Sequence, residues 1–170
     1  MNRVAIVVIL LSLPVFTQDS KKGDIKDCHM HFSHQAVVHS HGDQAMGFPQ
    51  DSTTHHFRIL PDGGSIAVTA NDPNDKTNTT AIRSHLVQIA KMFSNGDFST
   101  PMFIHDAIPP GVTTMKLMKS SIHYGYEEIP KGGIVRIKSD DPVSITAIHD
   151  FLRFQIREHK TGDSLEVAKP

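Results

Sequence analysis

The chain has 170 residues with a formal net charge of −1, and 38% of its residues are hydrophobic. That length supports one hydrophobic core and is short for two. Acidic and basic side chains are scattered, which argues against nucleic acid as a partner and against a charged membrane-binding face. The composition stands out for its twelve histidines and a lone cysteine, Cys28. One cysteine excludes an internal disulfide, and in an exported protein it indicates a thiolate ligand or a dimer bridged through Cys28.

The first 18 residues have the pattern of a signal peptide. Arg3 precedes an apolar run at positions 4–16, which suits a signal peptide and is short for a membrane span. An uncleaved N-terminal anchor is the alternative. In both cases we expect the folded protein outside the cytoplasm, periplasmic or secreted, with no membrane contact beyond this segment.

A histidine-rich arm, residues 19–43, follows the signal peptide. Gly42 is expected to limit any helix in the arm to residues 27–41. The arm interleaves imidazole, thiolate and thioether groups, a combination that suits copper first and then zinc or nickel. Its candidate metal ligands are Cys28, His29, Met30, His31, His34, His39 and His41. The alternative is a disordered leader that binds metals adventitiously, as histidine-rich tracts often do.

Residues 53–97 and 123–163 repeat one pattern of strand, tight turn, strand and helix. The two copies align at their glycine pairs, Gly63-Gly64 and Gly132-Gly133, with matching apolar positions on either side. Short hairpins require antiparallel pairing, and amphipathic helices bury their apolar stripes against a sheet. We therefore predict an α+β fold in which duplicated ββα units form a four-stranded antiparallel sheet with two helices on one face.

The duplication sets the predicted domain organisation. The chain divides into a signal peptide (1–18), an arm (19–43), one domain (44–163) with an insertion (98–122) between its two units, and a tail (164–170). Within the insertion, residues 98–111 are predicted to form an extended binding loop, followed by a short helix at 112–121. The helix of the first unit is predicted to begin after Thr80, which would cap it.

The two units differ at two histidine positions. His55 on the first strand and His85 on the first helix correspond to Tyr124 and Phe151 in the second unit, so the fold itself does not require imidazoles there. Helix and strand of one unit are expected to pack face to face, which would bring His55 and His85 together. With His105 of the insertion they form a second candidate metal site; the alternative is that each is an ordinary core or boundary histidine. The other histidines are predicted to lie on the surface unless the arm covers them: His56, His123, His149 and His159.

Several catalytic motifs are missing from the sequence. The chain contains no H-E-x-x-H zinc motif, no G-x-S-x-G nucleophile elbow and no C-x-x-C-H haem attachment motif. These absences favour a non-catalytic role, while non-covalent haem held by histidine or methionine stays open.

The segments TTHHF, DGGSIAV, NDP, IRSHLVQIA and IHDFLRFQI carry a resemblance. Over roughly residues 44–163 the chain resembles a family of small exported bacterial proteins of unknown function. The resemblance implies that 44–163 is one domain, and it implies no catalytic residue.

Three functions are compatible with these patterns. The favoured one is an exported, non-catalytic metal-binding protein for copper, with zinc or nickel as the next choices. The second is a periplasmic module that binds a small ligand or peptide through the sheet face and the 98–111 loop. The third is a metal-dependent enzyme that uses His55, His85 and His105 around an open coordination position.

Overall fold

The computed structural model describes the backbone of residues 24–169 and the side chains of residues 34–169. The elements of this part are α1 (Asp24–Met46), β1 (Thr53–Leu60), β2 (Gly63–Ala70), α2 (Lys76–Ser94), α3 (Ser99–His105), α4 (Val112–Leu117), β3 (His123–Ile129), β4 (Gly132–Lys138) and α5 (Pro142–Glu158). The predicted signal peptide lies outside the described residues, as do the side chains of Cys28, His29, Met30 and His31. Within residues 24–169, no helix combines the length and apolar character that crossing a membrane demands.

The four strands form one antiparallel sheet in the order β1-β2-β4-β3. The two hairpins meet through β2 and β4, where Ile66 of β2 lies opposite Val135 of β4 and, on its other side, opposite Phe57 of β1. These three side chains share the face that the helices cover, and all three are buried. The predicted α+β class, with two duplicated hairpins in one four-stranded antiparallel sheet, is confirmed.

The long helix of each repeat packs on the hairpin of the other repeat. The helix α2 packs mainly against β3 and β4, and α5 packs against β1 and β2. The expectation that each helix lies on its own hairpin is therefore wrong. Because each unit covers the hairpin of the other, the two apolar stripes enter a single core that neither unit completes alone.

The helix boundaries follow local capping more closely than the predicted pattern. The helix α2 begins at Lys76 because the Asp75 carboxylate accepts a hydrogen bond from the backbone N–H of Asn78, so the prediction of a start after Thr80 is wrong. In the second unit the cap is Asp141, directly before Pro142. When the repeats are aligned at their glycine pairs, Asp141 falls on Asp72, so the cap of the first unit lies three residues later than that of the second.

Two further segments are helical where extended chain or a break was expected. Residues 99–105 form α3, not an extended loop; Pro101 lies in its first turn, where a backbone N–H has no helical partner to lose. The helix α1 continues through Gly42 to Met46, so the predicted end at residue 41 is wrong. Gly42 is buried, and a side chain there would collide with Gln50.

The C-terminal tail covers the free edge of β1. The N–H of Ala168 donates to the carbonyl of Ile59 at 2.8 Å, and the Asp163 carboxylate accepts from the N–H of Phe57 at 2.8 Å. An edge strand otherwise exposes such groups to pairing with other chains. The residues after Gly162 therefore pack on the sheet along β1.

Gly111 allows the insertion to pack closely on α5. It has a φ of 82°, and a Cβ at this position would collide with the carbonyl oxygen of Ala147. We expect Gly111→Ala to lower the free energy of unfolding by about 2–4 kcal/mol, since it adds left-handed strain to overpacking. Urea denaturation measures the loss, with Gly125→Ala as control because a Cβ at Gly125 meets nothing within 4 Å. Equal midpoints for the two variants would contradict this packing role.

Candidate functional site

Three histidines surround a small hollow beneath α3, which we call the histidine cavity. It has a volume of about 60 Å³ and is bounded by the helix-side face of β1 and β2 and by α2, α3 and α5. The polar and sulfur-bearing lining residues are His55, His85, His159, Met46, Thr100 and Gln155. The other nine lining residues are apolar. A polar cluster in such apolar surroundings loses contact with water, which disfavours the charged form of each imidazole.

The imidazoles contact one another and their aromatic neighbours. The rings of His55 and His159 are stacked, with centroids 5.6 Å apart and planes inclined by 14°. His85 meets the ring of Phe48 edge to face at 5.6 Å. His105 meets His159 edge to face at 5.2 Å, which joins a fourth histidine to the cluster behind the cavity wall.

Burial keeps the three cavity imidazoles neutral. It lowers the pKa of His55 to about 4 and of His85 to about 4, and neighbouring histidines lower that of His55 further. The pKa of His159 falls to about 3, again through burial first and then through His55 and His105. Each ring keeps part of its surface accessible, but protein atoms surround it densely enough for burial to dominate. At neutral pH each ring therefore retains a lone pair that can bind a metal.

His105 connects the cluster to a carboxylate. It is 2% exposed; its Nε2 lies 3.1 Å from Gln155 Oε1, and its Nδ1 lies 3.9 Å from Glu158 Oε2. Glu158 in turn contacts Nε2 of His34, on α1, at 2.7 Å. Burial lowers the pKa of His105, although Gln155 and Glu158 oppose the shift. A neutral His105 carries one ring proton, and the Gln155 carbonyl oxygen favours that proton on Nε2, because Glu158 lies beyond hydrogen-bond distance of Nδ1.

This tautomer makes Nε2 of His105 the donor and the Gln155 carbonyl oxygen the acceptor. It leaves the lone pair of His105 Nδ1 without a hydrogen-bond partner among the described residues. The Gln155 amide nitrogen is also buried without a partner there. Gln155 therefore fixes the orientation of the His105 ring next to the histidine cavity.

The structure brings some of the predicted ligands together and separates others. His55 and His85 line one cavity, and His105 reaches it only through His159 and Gln155. Three arm histidines, His34, His39 and His41, have described side chains, and each makes a separate contact. His34 binds Glu158, His39 contacts Asp51 at 3.2 Å, and His41 stacks on Phe103 with centroids 4.5 Å apart.

Within residues 34–169, no three His, Cys, Asp or Glu side chains already converge as a set of metal ligands. Metal binding in the histidine cavity would therefore need its imidazoles to rotate, and it would draw on ligands of other kinds. Met46 and Gln155 are the candidates in the lining.

Comparison of the chain with protein-family models, with curated proteins and with solved structures gives no significant match. The resemblance to small exported bacterial proteins therefore stays a prediction.

Sequence reasoning missed His159 as a member of the site. It was predicted to lie on the surface, but it stacks on His55 and lines the cavity. The signal was present in the periodicity, because His159 and Gln155 lie in line with the apolar stripe of α5 at a spacing of four residues. Met46 carried no comparable signal, because α1 packs on α3 through contacts that periodicity does not reveal.

Asp163 holds the segment after α5 against β1. One carboxylate oxygen contacts His56 Nδ1 at 2.9 Å, and the other accepts from the N–H of Phe57 and from the Thr161 hydroxyl, at 2.8 and 2.6 Å. Burial alone would raise the pKa of Asp163, but these hydrogen bonds lower it overall. The anchored segment follows His159, the C-cap of α5, and we expect the anchor to help hold the His159 ring against His55.

Proposed function

We propose that this protein binds one copper ion in the histidine cavity, in the monovalent state, and that it does so without catalysing a reaction. The observation that carries the proposal is the grouping of three neutral imidazoles and one thioether around a cavity of about 60 Å³. Soft sulfur ligands together with imidazole select copper(I) among the common metals. The predicted signal peptide would place this binding in the periplasm or outside the cell.

The charge of the lining favours a monovalent ion. None of the described lining residues is a carboxylate or a thiolate. The cost of burying an ion grows with the square of its charge, so a divalent ion would cost about four times as much to bury as a monovalent one. Zinc, nickel and copper(II) are accordingly weaker candidates than copper(I).

The volume of the cavity argues against an enzyme. An ion and its ligands would occupy most of a space of about 60 Å³, whereas ligand pockets commonly measure roughly 300–1,000 Å³. No room remains beside the ion for a substrate, so the open coordination position that a catalytic metal needs is not supported.

The proposal is tested by copper(I) titration of the untagged mature protein under anaerobic conditions, in competition with a chromophoric chelator. We expect one high-affinity site per chain. His55→Gln combined with His85→Gln should weaken it at least 100-fold, because glutamine has a similar volume and is a poor ligand for a soft ion. His123→Gln combined with His149→Gln is the matched control, since neither residue lines the cavity, and it should leave the affinity unchanged.

Deletion of residues 19–33 distinguishes copper binding in the histidine cavity from copper binding in the arm. The shortened protein should retain its high-affinity site, although weaker binding by Cys28, His29, Met30 and His31 would be lost. If deletion abolishes tight binding while the His55/His85 double variant keeps it, the metal site lies in the arm. Absence of bound copper in the wild-type protein would refute the proposal altogether.

The apolar lining supports a second candidate, the binding of a small apolar ligand. Such a ligand would enter beneath α3, through Pro101 and Ile104, and would need α3 to move because the cavity is small. Methyl NMR of Ile89 and Ile104 during titration with a probe such as benzene tests it. Shifts that saturate with benzene and are absent with copper(I) would favour this candidate.

A further inference from the structure

A second, more polar hollow adjoins the histidine cavity, and we call it the vestibule. It has a volume of about 270 Å³ and is lined by Gln50, Asp51, Thr53, Thr54, His55, His159 and Thr161. His55 and His159 also line the histidine cavity. The stacked pair therefore lies between a polar hollow and an apolar one.

The vestibule has the chemistry to attract a cation. Asp51 is the one acidic residue of its described lining, and its side chain is 90% exposed. His39 lies at the rim, with Nε2 at 3.2 Å from Asp51 and Nδ1 at 3.7 Å from Asp43. Gln50 ties α1 to this rim by donating to the carbonyl of His39 at 2.8 Å. Carboxylates beside a hollow raise the local concentration of cations, whereas the lining of the histidine cavity offers three imidazoles, one thioether and no described carboxylate.

The stacked pair can serve both hollows. An imidazole carries nitrogens on two different edges of its ring, so rotation about the Cβ–Cγ bond can turn a lone pair from the vestibule to the cavity while the backbone stays in place. The flanking contacts of the pair are aromatic: Phe57 lies 6.5 Å from His55 and 5.6 Å from His159 between ring centroids. Such contacts restrain the rings less than hydrogen bonds do.

We propose that the vestibule is the access route of copper(I) to the histidine cavity. The ion docks at Asp51 and His39, and His55 and His159 then transfer it inward. This inference rests on the proposed function, because it assigns a route to the same site. Asp51 acts on the rate of exchange, and the cavity ligands set the equilibrium affinity.

The test blocks the vestibule without altering the cavity. Asp51→Cys is introduced together with Cys28→Ser, which removes the lone native cysteine, and the full mature chain is labelled with a bulky maleimide. The rate at which bathocuproine disulfonate, a large copper(I) chelator, extracts copper from the loaded protein is then measured. Asp140→Cys in the same background is the matched control, because Asp140 is also an exposed aspartate and lies outside both hollows.

We expect labelling at position 51 to slow extraction at least tenfold and to leave the equilibrium affinity within twofold. Labelling at position 140 should change neither quantity. Equal extraction rates for the proteins labelled at position 51 and at position 140 would overturn the route and leave copper binding intact. Copper binding that survives the His55/His85 double variant would instead overturn the proposed function.

Discussion

Between pH 8 and pH 5 the metal-free protein is expected to lose about 3–6 kcal/mol of its free energy of unfolding, on the order of 1–2 kcal/mol for each cavity histidine. The folded-state pKa values of His55 and His85 are about 4, and that of His159 is about 3, all below the ordinary value of 6.5. Such a loss is a large part of the roughly 5–15 kcal/mol that stabilises a typical domain.

The direction of this pH dependence follows from which state, folded or unfolded, takes up protons at the higher pH. Above pH 6.5 the three imidazoles are neutral in both states, and the stability is complete. As the pH falls below 6.5, the unfolded chain takes up protons that the folded cluster resists, so stability decreases. The decrease ends where the folded rings also protonate, near pH 4 for His55 and His85 and near pH 3 for His159. Two described carboxylates lie near the cluster: Glu158 contacts His105 and His34, and Asp51 lines the second hollow beside His55 and His159.

Urea denaturation at half-unit steps from pH 8 to pH 4 measures this dependence. His55→Tyr combined with His85→Phe introduces the residues found at the matching positions of the second unit, Tyr124 and Phe151, and should flatten the curve by about two thirds. His123→Gln should leave it unchanged, because His123 lies at the exposed start of β3. A steep curve that persists in the double variant would show that other groups carry the acid sensitivity.

Asp163→Ala is expected to lower the free energy of unfolding by about 2–4 kcal/mol and the copper(I) affinity at least tenfold. The carboxylate accepts two hydrogen bonds and contacts His56, and hydrogen bonds to charged groups contribute about 1.5–3 kcal/mol each. Its removal leaves the N–H of Phe57 without its acceptor. It also frees the segment that holds His159 on His55.

The stability of this variant is measured by urea denaturation and its affinity by chelator competition. Asp163→Asn should lie between the wild type and the alanine variant, since it keeps one acceptor oxygen and loses the charge. Asp62→Asn is the control: its carboxylate pairs with Lys138 at 2.9 Å on the surface, and exposed pairs contribute at most about 1 kcal/mol. Loss of stability with full copper affinity would show that Asp163 does not position His159.

Much of the architecture follows from the pattern of the sequence. Alternating apolar residues around Gly63-Gly64 and Gly132-Gly133 predict two hairpins, and the stripes through Ile82 and Ile148 predict two helices on one face. These signals are local, because the period of a strand or helix decides which side chains share a face. The second unit has Tyr124 where the first has His55. This difference indicates that a histidine site would lie in the first unit.

The membership of the candidate site could be predicted only in part. His55 and His85 were identified from the differences between the repeats, whereas His159 and Met46 come from distant segments that meet them only in the folded chain. In the arm, His39 and His41 contact Asp51 and Phe103 separately, and the prediction of a metal site in the arm stays a prediction. A histidine-rich composition indicates ligands, but it does not determine whether they converge.

By itself, the sequence determined the strands, the main helices and the faces that they bury, because periodicity and turn residues act over a few positions. Tertiary structure alone decided that β2 pairs with β4 and that the tail covers β1. It also decided that each repeat helix packs on the hairpin of the other repeat. Those choices depend on the burial of both apolar stripes in one core, a property of the whole chain. The same packing places His159 on His55, between the vestibule and the histidine cavity.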